Sequence, residues 1–233
     1  MSKPVCVIVG VGPGNGAAFG KKFAAENYRV ALLARNLDYL QELERQIPGS
    51  KAYKYDVTDI NRAREVFSRI ESELGAIAVL IYNAGTGQFS NIDAATVDSF
   101  QRAWEVNARG LFVVAQQVIP QMRKREGGNI VIIGATASLR GGANFAPFAS
   151  AKAAQRSLAQ SMARYLGQDK VHVSYIIIDG VIALERTRQA MPDKPDESFL
   201  QPEDIAESVF FLTQQPPSAW TFELDVRPFN EKW

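Results

Sequence analysis

The chain has 233 residues, of which 46% are hydrophobic and 22% charged, so it is long enough to bury a large core as one α/β domain. Its 26 basic and 25 acidic residues leave a formal net charge of +1, a balance that argues against a nucleic-acid-binding surface. The single cysteine, Cys6, excludes a disulfide within the chain and favours a reducing compartment.

No apolar stretch approaches the roughly 18 residues that a membrane-spanning helix needs. Residues Met1–Pro4 lead directly into the first apolar run. We therefore expect a cytoplasmic protein with no membrane partner, and we expect no metal site. The basic triplet Arg123–Arg125 stands just before two glycines, which is typical of the last turn of a helix.

The first apolar run, Val5–Val9, stops at a glycine-rich turn, Gly10–Gly16, and a helix-like stretch follows at once. Side chains at these glycines would hold the backbone away from a bound phosphate, and the N–H groups and dipole of a helix N-terminus attract negative charge. The order of strand, turn and helix predicts a pyrophosphate site. The alternative is a glycine-rich surface turn.

The second apolar run ends at Leu33-Ala34-Arg35-Asn36. A carboxylate at this place usually receives the ribose hydroxyls of NAD, whereas a cation accommodates the extra phosphate of NADP. Because no acid is present and Arg35 can make bidentate contacts to a phosphate, the sequence favours NADP(H) over NAD(H). The alternative is a solvated Arg35 at a helix start, with Asn36 as the N-cap.

Short apolar runs and longer amphipathic stretches alternate along the rest of the chain. Strands are expected at 4–9, 28–34, 51–55, 77–82, 129–134, 171–178 and 222–226, and helices at 15–26, 37–46, 60–73, 97–124, 149–167 and 202–214. Because most strands are β-branched and apolar on both faces, we expect a Rossmann-like, doubly wound parallel sheet of about seven strands with helices on both faces.

No linker or repeat divides the pattern, so residues 1–233 are expected to form a single domain. Its longest break is the irregular stretch 181–200. A loop that leaves the carboxyl end of a strand lies over the ligand crevice of an open α/β sheet, so we expect this stretch to be a substrate-lid loop. The alternative is a tolerated surface insertion.

Two further motifs, Asp56-Val57-Thr58-Asp59 and Tyr82-Asn83-Ala84-Gly85, follow the third and fourth expected strands. Together with the glycine-rich turn, they make the chain resemble the short-chain dehydrogenase/reductase family from about residue 4 to residue 226. The resemblance implies an oxidoreductase that binds a dinucleotide. The cofactor contacts that it implies are Gly10, Gly12, Pro13, Gly14, Asn15 and Gly16 in the turn, Arg35, Asp56 and Val57 at the adenosine, Asn83 beneath the cofactor, Ala84, Gly85 and Lys152, and Gly180 and Ile182 about the nicotinamide.

The family's active sites use an Asn, a Ser, a Tyr and a Lys. Asn107 matches the first and Lys152 the last, but the same spacing places Phe148 at the Tyr position and Ala135 at the Ser position. A phenyl ring and a methyl group supply neither a proton nor a hydrogen bond to a carbonyl oxygen, a contribution typically worth about 10²–10⁴-fold. Thr136 or Ser138 could offer a hydroxyl if the loop is shifted.

Two functions stay open on these residues. One is an NADP(H)-dependent oxidoreductase that transfers hydride to a small-molecule C=O, activated C=C or C=N acceptor with little help from an enzyme acid. The other is a catalytically inactive NADP(H)-binding sensor or assembly protein. The resemblance also implies a homodimer or homotetramer that pairs the helices at about 97–124 and 149–167. Two late aromatics, Phe229 and Trp233, are expected to cover the pocket, contact a second subunit or pack in the core.

Overall fold

The computed structural model describes residues 3–232, so the expectations for Met1, Ser2 and Trp233 lie outside the described residues. Among residues 3–232 the strands are β1 Val5–Val9, β2 Arg29–Ala34, β3 Ser50–Lys54, β4 Ile77–Tyr82, β5 Gly128–Ile133, β6 Val171–Ile178, β7 Val181–Ile182, β8 Phe199–Leu200 and β9 Glu223–Val226. The helices in the same residues are α1 Asn15–Ala25, α2 Leu37–Gln46, α3 Ala63–Leu74, α4 Val97–Trp104, α5 Gly110–Lys124, α6 Ala146–Leu166, α7 Glu185–Ala190 and α8 Pro202–Thr213.

The main sheet is parallel throughout and has the order β3-β2-β1-β4-β5-β6-β9. All residues of β1, β4 and β6 are buried, because helices cover both faces of the sheet. The Rossmann-like fold class is therefore confirmed. The strand order reverses between β1 and β4, and open α/β sheets bind their ligands at such a switch point.

Two separate apolar clusters form the core, one on each face of the sheet. The first packs α3, α5 and α6 against the sheet, and the second packs α1, α2 and α8 against the opposite face. The basic triplet behaves as predicted, since Arg123 and Lys124 lie in the last turn of α5 and Arg123 is 2.8 Å from Asp169 in a salt bridge. No helix among residues 3–232 is both long and apolar enough to cross a membrane.

The helix predicted over 97–124 is confirmed in its bounds, because helical backbone runs from Val97 to Lys124, but a π-helical segment, Glu105–Arg109, interrupts it between α4 and α5. Side chains from other elements bind the carbonyls of this segment. The Tyr82 hydroxyl donates to the Val106 carbonyl at 2.5 Å, and Gln155 Nε2 donates to the Asn107 carbonyl at 2.8 Å. Such interruptions often occur at functional sites.

The stretch 181–200 was predicted to be an irregular loop. This prediction is wrong, because the stretch contains regular secondary structure. The segment contains α7, and its two ends form the parallel β7–β8 pair. Its side chains reach the glycine-rich turn, because a Cβ built on Gly14 would lie 2.2 Å from Leu184 Cδ2. The segment therefore packs against the turn as a structured element, and its role as a lid stays a prediction.

Candidate cofactor and active site

A cavity of about 390 Å³ lies at the switch point between β1 and β4. The residues that line it come from five separate stretches of the chain: Gly10–Gly12, Ala34–Arg35, Tyr55–Val57, Asn83–Thr86 with Gln88, and Arg102 with Val106. The structure thus brings together much of the cofactor site expected from the sequence.

The glycines of the turn differ in what they contact. A Cβ on Gly10 would lie 2.4 Å from the backbone nitrogen of Ala84, and one on Gly16 would lie 2.6 Å from Val11 Cα. These two glycines therefore also permit close packing of the chain, and Gly10 lines the cavity as well. A Cβ on Gly12 would meet nothing within 4 Å, so Gly12 borders open space in the cavity.

The start of α1 supplies polar groups beside this open space. The N–H groups of Ala17 and Ala18 donate to Gly12 and Gly14 carbonyls, whereas a helix leaves the N–H groups of its first residues, here Asn15 and Gly16, without helical acceptors. Asn15 is 7% exposed, and its Oδ1 has no hydrogen-bond partner among the described residues. The N–H groups at the helix start fit the pyrophosphate of a dinucleotide, whereas Asn15 Oδ1, which only accepts, fits a hydroxyl or N–H donor and not a phosphate.

Asn83 joins the turn to the end of β4. Its Nδ2 donates to the Gly10 carbonyl at 2.7 Å, and its backbone N–H donates to the Val9 carbonyl at 2.9 Å. These bonds hold the ends of β1 and β4 together at the floor of the cavity. This is consistent with the expected place of Asn83 beneath the cofactor.

Positive charge is concentrated at the β2 end of the cavity. Arg35 is exposed and lines the cavity, while Asn36 caps α2 by accepting the Tyr39 N–H at 3.2 Å. The N-cap alternative is therefore correct for Asn36, and it leaves the guanidinium of Arg35 available to a ligand.

Arg102 is a second cation in this cavity, and the sequence analysis missed it. Its Nη1 lies 3.1 Å from Thr58 Oγ1, and its Nη2 lies 3.9 Å from Asp56 Oδ2. Burial by itself raises the pKa of Asp56, but hydrogen bonds from Thr58 and the charges of Arg102 and Arg35 outweigh it and hold that pKa below its ordinary value. Nothing local in the sequence connects Arg102 to Asp56, because only the fold brings α4 beside the end of β3.

Lys152 lies in α6 on the β5 side of the switch point and is 5% exposed. Its Nζ donates to the Ile133 carbonyl at 2.9 Å and to Gln155 Oε1 at 3.0 Å. Desolvation of the ammonium lowers the pKa of Lys152 to about 7. The amine is therefore close to half protonated at neutral pH.

Gln155 connects Lys152 to Asn107. It accepts from Lys152 through Oε1 and donates to the Asn107 carbonyl through Nε2, and the Tyr175 hydroxyl lies 3.3 Å from the same Oε1. Asn107 is fully buried, its Nδ2 donates to the Ala103 carbonyl, and its Oδ1 lacks a partner among the described residues. The sequence contains a signal for the contact between Lys152 and Gln155, because side chains three residues apart on a helix are neighbours. The contact between Gln155 and Asn107 has no such local signal.

The two positions without hydroxyls lie near this network. Phe148 is half-buried in α6, four residues before Lys152, and Ala135 precedes a short 3₁₀ turn, Thr136–Ser138. The proposed substitute hydroxyls are bound internally, because Thr136 Oγ1 donates to Asp179 at 2.7 Å and Ser138 Oγ donates to the Ala135 carbonyl at 2.7 Å.

The remaining candidates lie outside the cavity that Arg35 lines. Pro13 and Gly14 line a neighbouring cavity with Leu184, Gly180 has φ 145° and packs close to Pro228, and Ile182 pairs with Leu200 in the β7–β8 ladder. No group of three or more metal-ligating side chains occurs in the described part of the chain.

His172 and Tyr82 have structural contacts within the chain, whereas Phe229 does not pack in the core, which was one of the places expected for it. The ring of His172 stacks on Trp220 with centroids 4.9 Å apart, and its Nε2 lies 2.8 Å from the Thr221 carbonyl. Tyr82 is fully buried with its hydroxyl on Val106, and Phe229 is 86% exposed.

The chain is similar to known proteins over most of its length. The family profile described as short chain dehydrogenase matches residues 4–194. The 7alpha-hydroxysteroid dehydrogenase of Escherichia coli strain K12 is 30% identical over 226 residues, which are 92% of this chain and 88% of that protein. The crystal structure of a short-chain dehydrogenase from Rhodopseudomonas palustris superposes with a TM-score of 0.84 at 33% identity, covering 97% and 99% of the two chains.

A metagenomic short-chain oxidoreductase, crystallised in complex with NADP, also has a TM-score of 0.84. It is 25% identical to this chain, and the match covers 97% of each chain.

Proposed function

Because this chain belongs to the short-chain dehydrogenase family and is an NAD(P)-dependent oxidoreductase of that type, we propose that its cofactor is NADP(H). The observation that carries this proposal is the switch-point cavity, where Arg35 stands at the end of β2 in the place of a carboxylate. The NADP complex of the metagenomic relative supports the same cofactor.

The residues that line the cavity fit the adenosine half and the pyrophosphate of such a dinucleotide. Arg35 binds the phosphate on the adenosine ribose, Asp56 and Val57 border the adenine, and the turn around Gly12 with the start of α1 receives the pyrophosphate. Asn83 holds the floor beneath it. A bound cofactor would supply the hydride, and Lys152 lies beside Gly85 of the cavity, where a Cβ on that glycine would be 3.8 Å from its Nζ.

The acceptor is a small-molecule carbonyl, activated C=C or C=N group that needs little proton donation from the enzyme. With Phe148 at the Tyr position and Ala135 at the Ser position, the site orients the acceptor but does not protonate it through those side chains, so water supplies the proton that follows the hydride. Positioning alone can contribute about 7–11 kcal/mol to a barrier, compared with about 3–5 kcal/mol for a general acid. Hydride transfer to an acceptor that is already electron-poor is therefore feasible in this site.

One observation favours a second candidate, an inactive NADP(H)-binding protein. The hydroxyls of Thr136 and Ser138, which could have replaced the missing donors, are both engaged inside the protein. A chain that keeps the cofactor cavity without these donors could serve as a sensor or assembly protein.

The cofactor proposal is tested by titrating NADPH and NADH against the parent, Arg35→Leu and the control Arg45→Leu, whose exposed arginine lies in α2 outside the cavity. Loss of a charge-assisted hydrogen bond, about 1.5–3 kcal/mol, should weaken NADPH binding about 10- to 150-fold in Arg35→Leu. NADH binding and the control should change little. Equal losses for both cofactors would contradict the assignment of Arg35.

The reaction is tested by following NADPH oxidation with matched ketone, enone and cyclic imine acceptors. We expect the enone or the imine to be reduced faster than the ketone. Tight NADPH binding without oxidation by any of the three would favour the binding protein instead.

We also propose that the protein is a homodimer or homotetramer formed through α4, α5 and α6. Large apolar side chains on α4 and α5 are exposed in the single chain: Phe100 49%, Trp104 44% and Phe112 48%. Light scattering of the purified protein should give a multiple of the 25.7 kDa chain mass. A monomer at micromolar concentration would contradict this assembly.

A further inference from the structure

Three phenylalanines form an aromatic cluster at the N-terminal end of α6. Phe89 lies on the loop after β4, and Phe145 and Phe148 lie at the start of the helix. The ring centroid of Phe89 is 5.2 Å from that of Phe145 and 5.3 Å from that of Phe148. These are the separations at which aromatic rings attract one another.

The cluster leaves much of its apolar surface in contact with solvent. Phe89 is 62% exposed and Phe145 is 40% exposed. Adjacent exposed aromatic rings are unfavourable in water, and a patch of this kind commonly marks a place where a ligand binds.

Two of the rings lie against a glycine of their own loop. A Cβ on Gly87 would lie 2.6 Å from the Phe89 ring, and a Cβ on Gly142 would lie 2.9 Å from the Phe145 ring. The two loops are also joined, because Ser90 pairs with Phe145 and the Ala146 N–H donates to the Ser90 carbonyl at 3.1 Å. The rings are therefore held in a defined arrangement.

The cluster borders the reacting end of the proposed site. Phe148 stands four residues before Lys152, one helical turn away on the same face. The loop that carries Phe89 begins at Gly85, where a Cβ would lie 3.8 Å from Lys152 Nζ, and its residues Gly85, Thr86 and Gln88 line the cofactor cavity. Arg35 follows β2, on the other side of the switch point, so the cluster and the adenosine end lie at opposite ends of the cleft.

We propose that Phe89, Phe145 and Phe148 bind an aryl ring of the substrate, so that the acceptors are aryl-conjugated carbonyl, C=C or C=N compounds. This inference rests on the proposed function, because it assumes that the acceptor lies beside Lys152. An aryl group conjugated to the acceptor fits both the aromatic cluster and the lack of hydroxyl groups in the site. It is flat and apolar, and it matches a centre that offers edge-to-face ring contacts but no hydroxyl from Phe148 or Ala135.

The test compares two enones that differ only in one substituent, 4-phenyl-3-buten-2-one and 3-penten-2-one. Calorimetry measures their binding to the protein saturated with NADP⁺, where no reduction occurs, and NADPH oxidation measures their turnover. Phe89→Ala removes the most exposed ring, Phe89→Leu keeps apolar volume, and Phe211→Ala is the control. Phe211 is 58% exposed and lies in α8, on the opposite face of the sheet.

We expect the parent to bind the phenyl enone at least about tenfold more tightly than the methyl enone. Phe89→Ala should reduce this preference by about 3- to 10-fold, Phe89→Leu should reduce it less, and Phe211→Ala should not alter it. A parent that binds both enones equally, or a preference unchanged in Phe89→Ala, would overturn the aryl site even if NADPH binds tightly. Failure of NADP⁺ and NADPH to bind the parent would instead refute the proposed function.

Discussion

Adding a hydroxyl at each of Phe148 and Ala135 is a direct test of where the proposed reaction takes place. The double variant Phe148→Tyr with Ala135→Ser should increase NADPH-dependent reduction of a simple ketone. Its tyrosine would stand one helical turn before Lys152, and its serine would stand at the entrance of the Thr136–Ser138 turn. Phe148→Tyr alone should recover part of the gain.

The size of this gain depends on the protonation of Lys152. A general acid is typically worth about 10²–10⁴-fold. The ammonium that would lower the pKa of the new tyrosine is itself only about half protonated at neutral pH, because its own pKa is about 7. Half protonation reduces the gain by about twofold, so we expect about 50- to 5,000-fold, or about 2.3–5 kcal/mol, at pH 7.

Single-turnover measurements of ketone reduction, with NADPH affinity and melting temperature recorded for each variant, separate the chemical step from binding and folding. The gain should be larger at pH 6 than at pH 8, since protonation of Lys152 falls between these values. If the double variant folds, binds NADPH as the parent does and reduces the ketone no faster, the placement of the reacting centre at Phe148 and Ala135 is wrong.

Three further outcomes are expected. Gly16→Ala should lower the melting temperature by about 3–10 °C because its Cβ would lie 2.6 Å from backbone, whereas Gly12→Ala should keep the melting temperature and weaken NADPH binding. Asn36→Ala should cost about 0.5–2 kcal/mol of unfolding free energy in urea and leave the preference for NADPH over NADH unchanged. Since burial lowers the folded-state pKa of Lys152 to about 7, the unfolded chain binds more protons above that pH, so the stability of the parent relative to Lys152→Met should rise between pH 7 and about 10. A pH-independent difference in urea unfolding between parent and variant would contradict the buried, weakly basic amine.

Several features of the site could be predicted from the sequence because they depend on short stretches of chain. The turn Gly10–Gly16, the cation Arg35 and the Asn83 motif each follow an apolar strand, and parallel strands bring their carboxyl ends to one edge of the sheet. The helix cap at Asn36 was equally local.

Other features depend on contacts between distant residues and had no local pattern. Arg102 reaches Asp56 only because α4 lies beside the end of β3, and the carbonyls of the π-helical segment are bound by Tyr82 and Gln155, which come from other elements. Likewise, the ring of Phe89 meets Phe145 and Phe148 across 56 and 59 residues of sequence, and hydrophobicity alone does not distinguish an exposed ring from a core ring.

The sequence by itself determined the class of the fold and the kind of ligand, because apolar periodicity and glycine placement act over a few residues. Only the tertiary structure showed which glycines permit close packing of the backbone and which border open space in the cavity. It also decided that Lys152 is desolvated and bridged to Asn107 through Gln155, and that three aromatic rings meet at the N-terminal end of α6. Packing, burial and the pKa shifts that follow from them depend on what surrounds a side chain in space, and those neighbours are set only when the whole sheet and its helices have assembled.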